Sequence, residues 1–165
     1  MIRGILIRAA AFCSTAGGTP AAQRRTGILG TGDVLKEMRR FSEADVARFA
    51  EVSGDRNPVH FDPDFALSAA GFSGGRIVHG MLVASLFPSI IASHFPGAIY
   101  VSQTLQFKLP VYIDDEVVAK VQALSVREHK QRFIVKFTTK CFTNIEQLVI
   151  DGEATAILPT LAHNR

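Results

Sequence analysis

Asp55 and His60 fall in one short octad, Ser53-Gly-Asp-Arg-Asn-Pro-Val-His60. Gly54 and Pro58 keep this stretch from becoming regular helix or strand. A carboxylate and an imidazole held on a constrained loop suit proton transfer to and from a bound substrate. Their reference pKa values, near ~3.9 and ~6.5, allow opposite protonation states close to neutral pH. The plainer reading is a capped turn, because Asp and Asn beside Gly and Pro are ordinary turn chemistry. Asn57 has the same two readings: it orients Asp55 or a water, or it braces the turn.

The elements around the octad must position it. Phe41-Ser-Glu-Ala-Asp-Val46 predicts a helix start. Ser42 is the N-cap, Asp45 follows three residues later, and Phe41 can staple against Val46. The pattern predicts a helix over 43–53, with Val46, Phe49, Ala50 and Val52 or Ser53 on one face and Gly54 as its stop. Asp62-Pro63 opens a second, short helix to about Ala69, which Gly71 closes. The run from Met81 to Ser93 is apolar on nearly every side, which predicts a helix buried all round with a kink at Pro88. From Ala98 the period changes to two. Ile99, Val101, Leu105, Phe107 and Leu109 share one face of a predicted half-buried strand, with Gln103 the exception. Residues 117–130, 132–143 and 147–158 predict three more strands, and the short links imply an antiparallel meander. One buried helix followed by such a sheet packs best when the sheet curls round it, an α+β hotdog fold. The open sheet edge predicts a dimer.

Composition narrows the classes. The chain has 165 residues, 47% hydrophobic and 20% charged, enough for one domain with a proper core. Residues 1–32 hold Arg3, Arg8, Arg24 and Arg25 and no acid. Subtracting those four charges from the net +3 leaves −1 for residues 33–165, which argues against nucleic acid as partner. An Arg-rich, hydroxyl-bearing, acid-free leader is the composition of a mitochondrial transit peptide. The expected organisation is a leader over 1–32, one domain over 33–160 and a tail over 161–165. No run approaches the ~20 apolar residues of a membrane span. Cys13 and Cys141 are the two cysteines, so the mature chain has no internal disulfide partner to form. No cysteine–histidine cluster suggests zinc and no glycine-rich phosphate loop is present, so neither metal nor cofactor is expected. His79 is read as a capping or packing residue, and His94, His129 and His163 as surface residues.

Three blocks carry a family resemblance. Phe49-Ala-Glu-Val-Ser-Gly-Asp-Arg-Asn-Pro-Val-His60, with Ala66 after it, resembles the signature of the R-specific enoyl-thioester hydratases, the MaoC-like or hydratase-2 group. Ile77-Val-His-Gly-Met-Leu-Val-Ala-Ser85 is similar to the start of their central helix. Ser102-Gln-Thr-Leu-Gln-Phe-Lys-Leu-Pro-Val111 is similar to their first long strand. With the leader, the mitochondrial 3-hydroxyacyl-thioester dehydratase branch fits best. The resemblance implies reversible dehydration of a (3R)-3-hydroxyacyl thioester to the trans-2-enoyl thioester, in matrix fatty-acid synthesis. The substrate would ride on acyl carrier protein or coenzyme A. Asp55 and His60 would form the catalytic dyad. Gly80 stands where the apolar helix starts, so its N–H is free and the helix dipole points the right way. The family implies that N–H as the donor to the thioester oxyanion. Ser85, one turn on, is a possible support near the dyad, or a serine bonded to its own helix. The competing readings are a hotdog thioesterase and a non-catalytic acyl-binding protein. A thioesterase calls for a carboxylate on or opposite the central helix, and residues 81–93 contain no acid. The intact Asp55/His60 pair speaks against the binding protein.

Overall fold

The structure is a computed structural model that describes residues 26–164. The chain runs through β1 (Thr26–Ile28), β2 (Val34–Arg40), α1 (Glu43–Ser53), a 3-10 turn (Pro58–His60), a π-type turn (Phe65–Ala69), α2 (Gly80–Ala84) and α3 (Leu86–His94). It continues through β3 (Ile99–Gln103), β4 (Gln106–Phe107), β5 (Glu116–His129), β6 (Arg132–Thr143), β7 (Leu148–Leu158) and β8 (Ala162–Asn164). The main sheet is antiparallel in the order β2-β5-β6-β7-β3, with β4 also paired to β7. α3 packs on β2 and β5. Phe87, Ile90, Ile91 and Phe95 are fully buried in one core with Val117, Val121, Phe137 and Ala156 of the sheet. This is the hotdog fold.

Several elements form for local reasons. Ser42 and Asp45 make a reciprocal capping box at α1, and Gly54 closes the helix at φ 80° with its N–H on the Ala50 carbonyl. The N–H and hydroxyl of Ser42 hold the Asp45 carboxyl below its ordinary pKa. Val46 and Ala50 face the core as expected, whereas Val52 is exposed. The helix after Pro63 widens into the π-type turn at Phe65–Ala69.

Other elements differ from the expectations. The apolar helix is two helices, α2 and α3, that meet at Ser85. Pro88 has no N–H for the Ala84 carbonyl, and the break sits at that missing bond. Nor is the helix buried all round, because Met81, Ser85, Ser89 and Ala92 form an exposed stripe in the single chain. The sheet covers only the opposite side.

The strand expected over 98–109 is split into β3 and β4. Gln103 explains the interruption: its side-chain amide donates to the Thr104 carbonyl (2.9 Å) and to Thr139 Oγ1 (3.0 Å). β3 lies against β7 rather than β5, so the meander comprises β5, β6 and β7 only. Because β3 and β4 lie at the edge, Ile99, Val101 and Phe107 are exposed, as is Leu109 beyond β4, whereas Leu105 packs against the core.

β2 lacks an alternating apolar pattern and buries only Leu35. It forms because β5 offers a full ladder, from Val34↔Gln122 to Arg40↔Glu116. The folded unit also extends beyond 33–160. β1 pairs with β8, Leu29 is buried, and the Leu29 N–H reaches the Leu161 carbonyl at 2.8 Å. Residues 1–25 of the expected leader lie outside the described residues.

Candidate active site

The octad is fastened by its own side chains. Ser53 Oγ accepts from the Asp55 N–H (3.2 Å), and Asp55 Oδ1 accepts from the Asn57 N–H (3.1 Å). Asn57 Oδ1 in turn accepts from the Val59 N–H (3.3 Å), capping the 3-10 turn that carries His60. Asn57 therefore braces the turn with its side chain and restrains Asp55 with its backbone.

His60 is anchored from behind. Its Nδ1 lies 2.8 Å from the Ile77 carbonyl oxygen. A carbonyl can only accept, so Nδ1 donates to it and Nε2 is the ring nitrogen left for the cavity. That Nε2 faces Asp55 Oδ2 at 3.9 Å. The gap is too long for a direct hydrogen bond and is wide enough for one water to sit at about 2.8 Å from each atom. The two partners sit in different surroundings: the His60 side chain is 8% exposed and that of Asp55 is 51% exposed.

His79 completes the cluster. It is buried, and its ring stacks on His60 with centroids 3.7 Å apart and planes 26° apart. Its Nε2 lies 3.1 Å from the Asp55 backbone oxygen and 4.0 Å from Asp55 Oδ2. Burial pushes the His79 pKa down, the bond to the Asp55 carbonyl opposes that, and the neighbouring His60 lowers it further. Asp55, His60 and His79 bring possible ligand atoms within 4.8 Å of one another, a grouping the sequence did not suggest. It suits a metal poorly. A carbonyl only accepts, so His79 Nε2 is committed as a donor to the Asp55 main chain and has no lone pair for an ion.

These groups stand at the polar end of a cavity of about 550 Å³, whose walls include Phe49, Phe72, Val83, Phe107, Leu109, Val111 and Ile150. Gly80 is on that wall and is the first residue of α2, so its N–H has no acceptor within the helix. A Cβ at Gly80 would come 2.7 Å from the Phe107 ring. Ser85 is elsewhere: its hydroxyl donates to the Leu82 carbonyl (2.6 Å), and it does not line the cavity. Of the remaining histidines, His129 is exposed at the β5–β6 turn and His94 is half-buried. His163, expected at the surface, is buried against Phe95 at 5.7 Å, because β8 folds back onto the core. No helix among the described residues is long and apolar enough to cross a membrane.

A profile of the family described as "MaoC like domain" matches residues 25–144. The chain belongs to the MaoC-like family. Among its relatives is the Arabidopsis thaliana "3-hydroxyacyl-[acyl-carrier-protein] dehydratase, mitochondrial", 61% identical over 135 residues, which cover 81% of this chain and 80% of that protein. The Aeromonas caviae "(R)-specific enoyl-CoA hydratase" is 44% identical over 133 residues, covering 79% and 96%. The solved structure of the (R)-hydratase from A. caviae, described as involved in PHA biosynthesis, superposes with a TM-score of 0.73 over 79% of this MaoC-like chain and 98% of that one. Two residues of this MaoC-like site were not legible as such in the sequence, the stacked His79 and Phe107 over Gly80. The adjacency of His79 to Gly80 was the only local signal for the first.

Proposed function

We propose that this protein is a hydro-lyase that interconverts (3R)-3-hydroxyacyl and trans-2-enoyl thioesters, working as the dehydratase step of mitochondrial fatty-acid synthesis. The observation that carries the reading is the 3.9 Å opening between Asp55 Oδ2 and His60 Nε2, at the end of an apolar cavity that also exposes the Gly80 N–H. The acyl chain lies along the phenylalanine and aliphatic walls. One member of the dyad takes the C2 proton and the other delivers a proton to the departing C3 hydroxyl, which leaves as water. Charge gathers on the thioester oxygen as C2 loses its proton, and the Gly80 N–H stabilises it at the start of α2. The reverse reaction begins with a water held between the same two atoms. Asn57 and the Ile77 carbonyl keep the pair in register.

Acyl carrier protein and coenzyme A present the same phosphopantetheine thioester to the site; a free coenzyme A hydratase is the second reading, favoured by the A. caviae relative. The purified protein should hydrate crotonyl and longer enoyl thioesters, seen as loss of conjugated absorbance, and yield the (3R) product. No turnover on either carrier, or a (3S) product, overturns the proposal. The Arg-rich, acid-free leader and the "mitochondrial" relative support import to the matrix. A fluorescent fusion of residues 1–32 that stays in the cytosol would refute that part.

A further inference from the structure

We propose that His79 is a positioning residue for the dyad: its neutral ring holds the Asp55 main chain through Nε2–H and forms the platform on which His60 stacks. This rests on the hydro-lyase reading above and adds a group to it.

Three observations converge on the assignment. The first is the bond from His79 Nε2 to the Asp55 backbone oxygen, 3.1 Å long. Asp55 is exposed and follows the Gly54 stop, so the Ser53 hydroxyl and this bond are what tie its backbone to neighbours. The bond crosses 24 residues and joins the loop to the start of α2. It therefore sets where Asp55 stands relative to Gly80, the next residue along from His79. The second is the stack on His60 at 3.7 Å. Phe49 packs beside the same ring at 4.9 Å and Phe61 lies at 6.2 Å, so the platform cannot slide. The third is His79 Nδ1, which is buried with no hydrogen-bond partner. With Nε2–H already given to the Asp55 carbonyl, a second proton on Nδ1 would bury both an unpartnered N–H and a charge, which costs more than an unpartnered lone pair. The proton accordingly sits on Nε2, and the ring stays neutral.

Neutrality is what the pair needs. The titratable groups facing His79 are Asp55 and His60, and its other neighbours are the apolar Phe49 and Phe61. A charged His79 beneath His60 would oppose protonation of His60, and it would compete with His60 for the Asp55 carboxylate. A neutral one leaves the proton traffic to the two residues that face the cavity.

The test exchanges the two features of the ring. His79→Gln keeps an N–H donor near Nε2 and discards the ring. His79→Phe keeps the ring and discards the donor. Steady-state kinetics on crotonyl-CoA are read beside Asp55→Asn, with melting curves for each variant. The positioning role predicts that His79→Phe lowers kcat by about 10²-fold with KM little changed, the scale of a misplaced reacting group. It predicts that His79→Gln stays within about tenfold of the wild type. A purely packing role predicts the reverse order, and that order overturns the inference. Should His79→Phe fail to fold, nitrogen NMR of the wild-type imidazoles decides instead. A neutral ring protonated on Nε2 near neutral pH is expected; a proton on Nδ1, or a doubly protonated ring, overturns it. Wild-type protein without turnover on crotonyl-CoA or on the crotonyl acyl-carrier-protein thioester overturns the hydro-lyase reading and this inference with it. Wild-type turnover that Asp55→Asn abolishes and His79→Phe leaves intact overturns this inference alone.

Discussion

At the scale of single residues the proposed site rests on separation. Asp55 and His60 are close enough to share a water and too far apart to quench each other in a direct bond. Asp55→Asn and His60→Gln should each cut turnover by about 10²–10⁴-fold, the usual contribution of a positioned acid or base. The double variant should be little worse than either single one, because the pair acts as a unit. Additive losses in folded protein contradict a shared role. Gly80 needs a more careful variant. Both Gly80→Ala and Gly80→Pro would push a carbon into the Phe107 ring, so the two should be compared in a Phe107→Ala background. His79 has ψ 126°, which suits a residue preceding proline. Losing the N–H in the proline variant should lower kcat about 10²–10³-fold relative to the alanine variant. Equal activities would remove Gly80 from the oxyanion role. His79 also shapes the pH response. Its folded pKa lies below the ordinary 6.5, so on acidification the unfolded chain takes up the proton first. Its contribution to stability is therefore present above about pH 6.5 and is lost as pH falls from there toward the folded value. Melting temperature should drop over that window more steeply in the wild type than in His79→Gln. Parallel curves would contradict the neutral, buried histidine.

At the scale of elements, the break between β3 and β4 is the feature that shapes the cavity wall. It allows the chain to leave the edge at Thr104 and return at Gln106, which places Phe107 over Gly80. The break needs a glycine opposite it. A Cβ on Gly152 of β7 would come 2.0 Å from the Thr104 carbonyl oxygen and 2.9 Å from its carbon. Both are backbone atoms and neither can swing aside. Gly152→Ala should thus destabilise the fold by about 1–3 kcal/mol, the typical cost of overpacking. Denaturant unfolding that shows no loss of stability would mean that β4 yields easily. Cys141 on β6 is the opposite case: it is buried, burial pushes its pKa to about 12, and it behaves as a small apolar side chain.

At the scale of the whole molecule, one group of exposed apolar side chains lies along the β3–β4 edge and at the start of α2. Ile99, Val101, Phe107, Leu109 and Met81 are each about half exposed in the single chain. An edge strand with this many apolar side chains is a template for another chain. A second copy paired there would bury the row and lie beside the cavity that Phe107 and Met81 line. Light scattering at micromolar concentration should give the mass of a dimer, and a monomer would contradict the arrangement.

The sequence by itself determined whatever depends on near neighbours. The capping box of Ser42 and Asp45, the Gly54 stop and the turn chemistry of the octad are contacts within a few residues, so α1 runs over Glu43–Ser53 as its residues dictate. The period-two pattern likewise marked β5, β6 and β7 to within a residue or so at each end. Family-level likeness was legible because the octad, the α2 start and the Phe107 segment keep their order along the chain. Tertiary structure decided the rest. β2 is charged and buries one side chain, so only the β5 ladder makes it a strand. The place of β3 at an edge beside β7, and hence the exposure of its apolar row, depends on the order of strands, which periodicity does not encode. His79 joins Asp55 and His60 across 24 and 19 positions, and Phe107 reaches Gly80 across 27. Local propensity acts over a turn or two, whereas the site forms only when the closed core brings distant segments into contact.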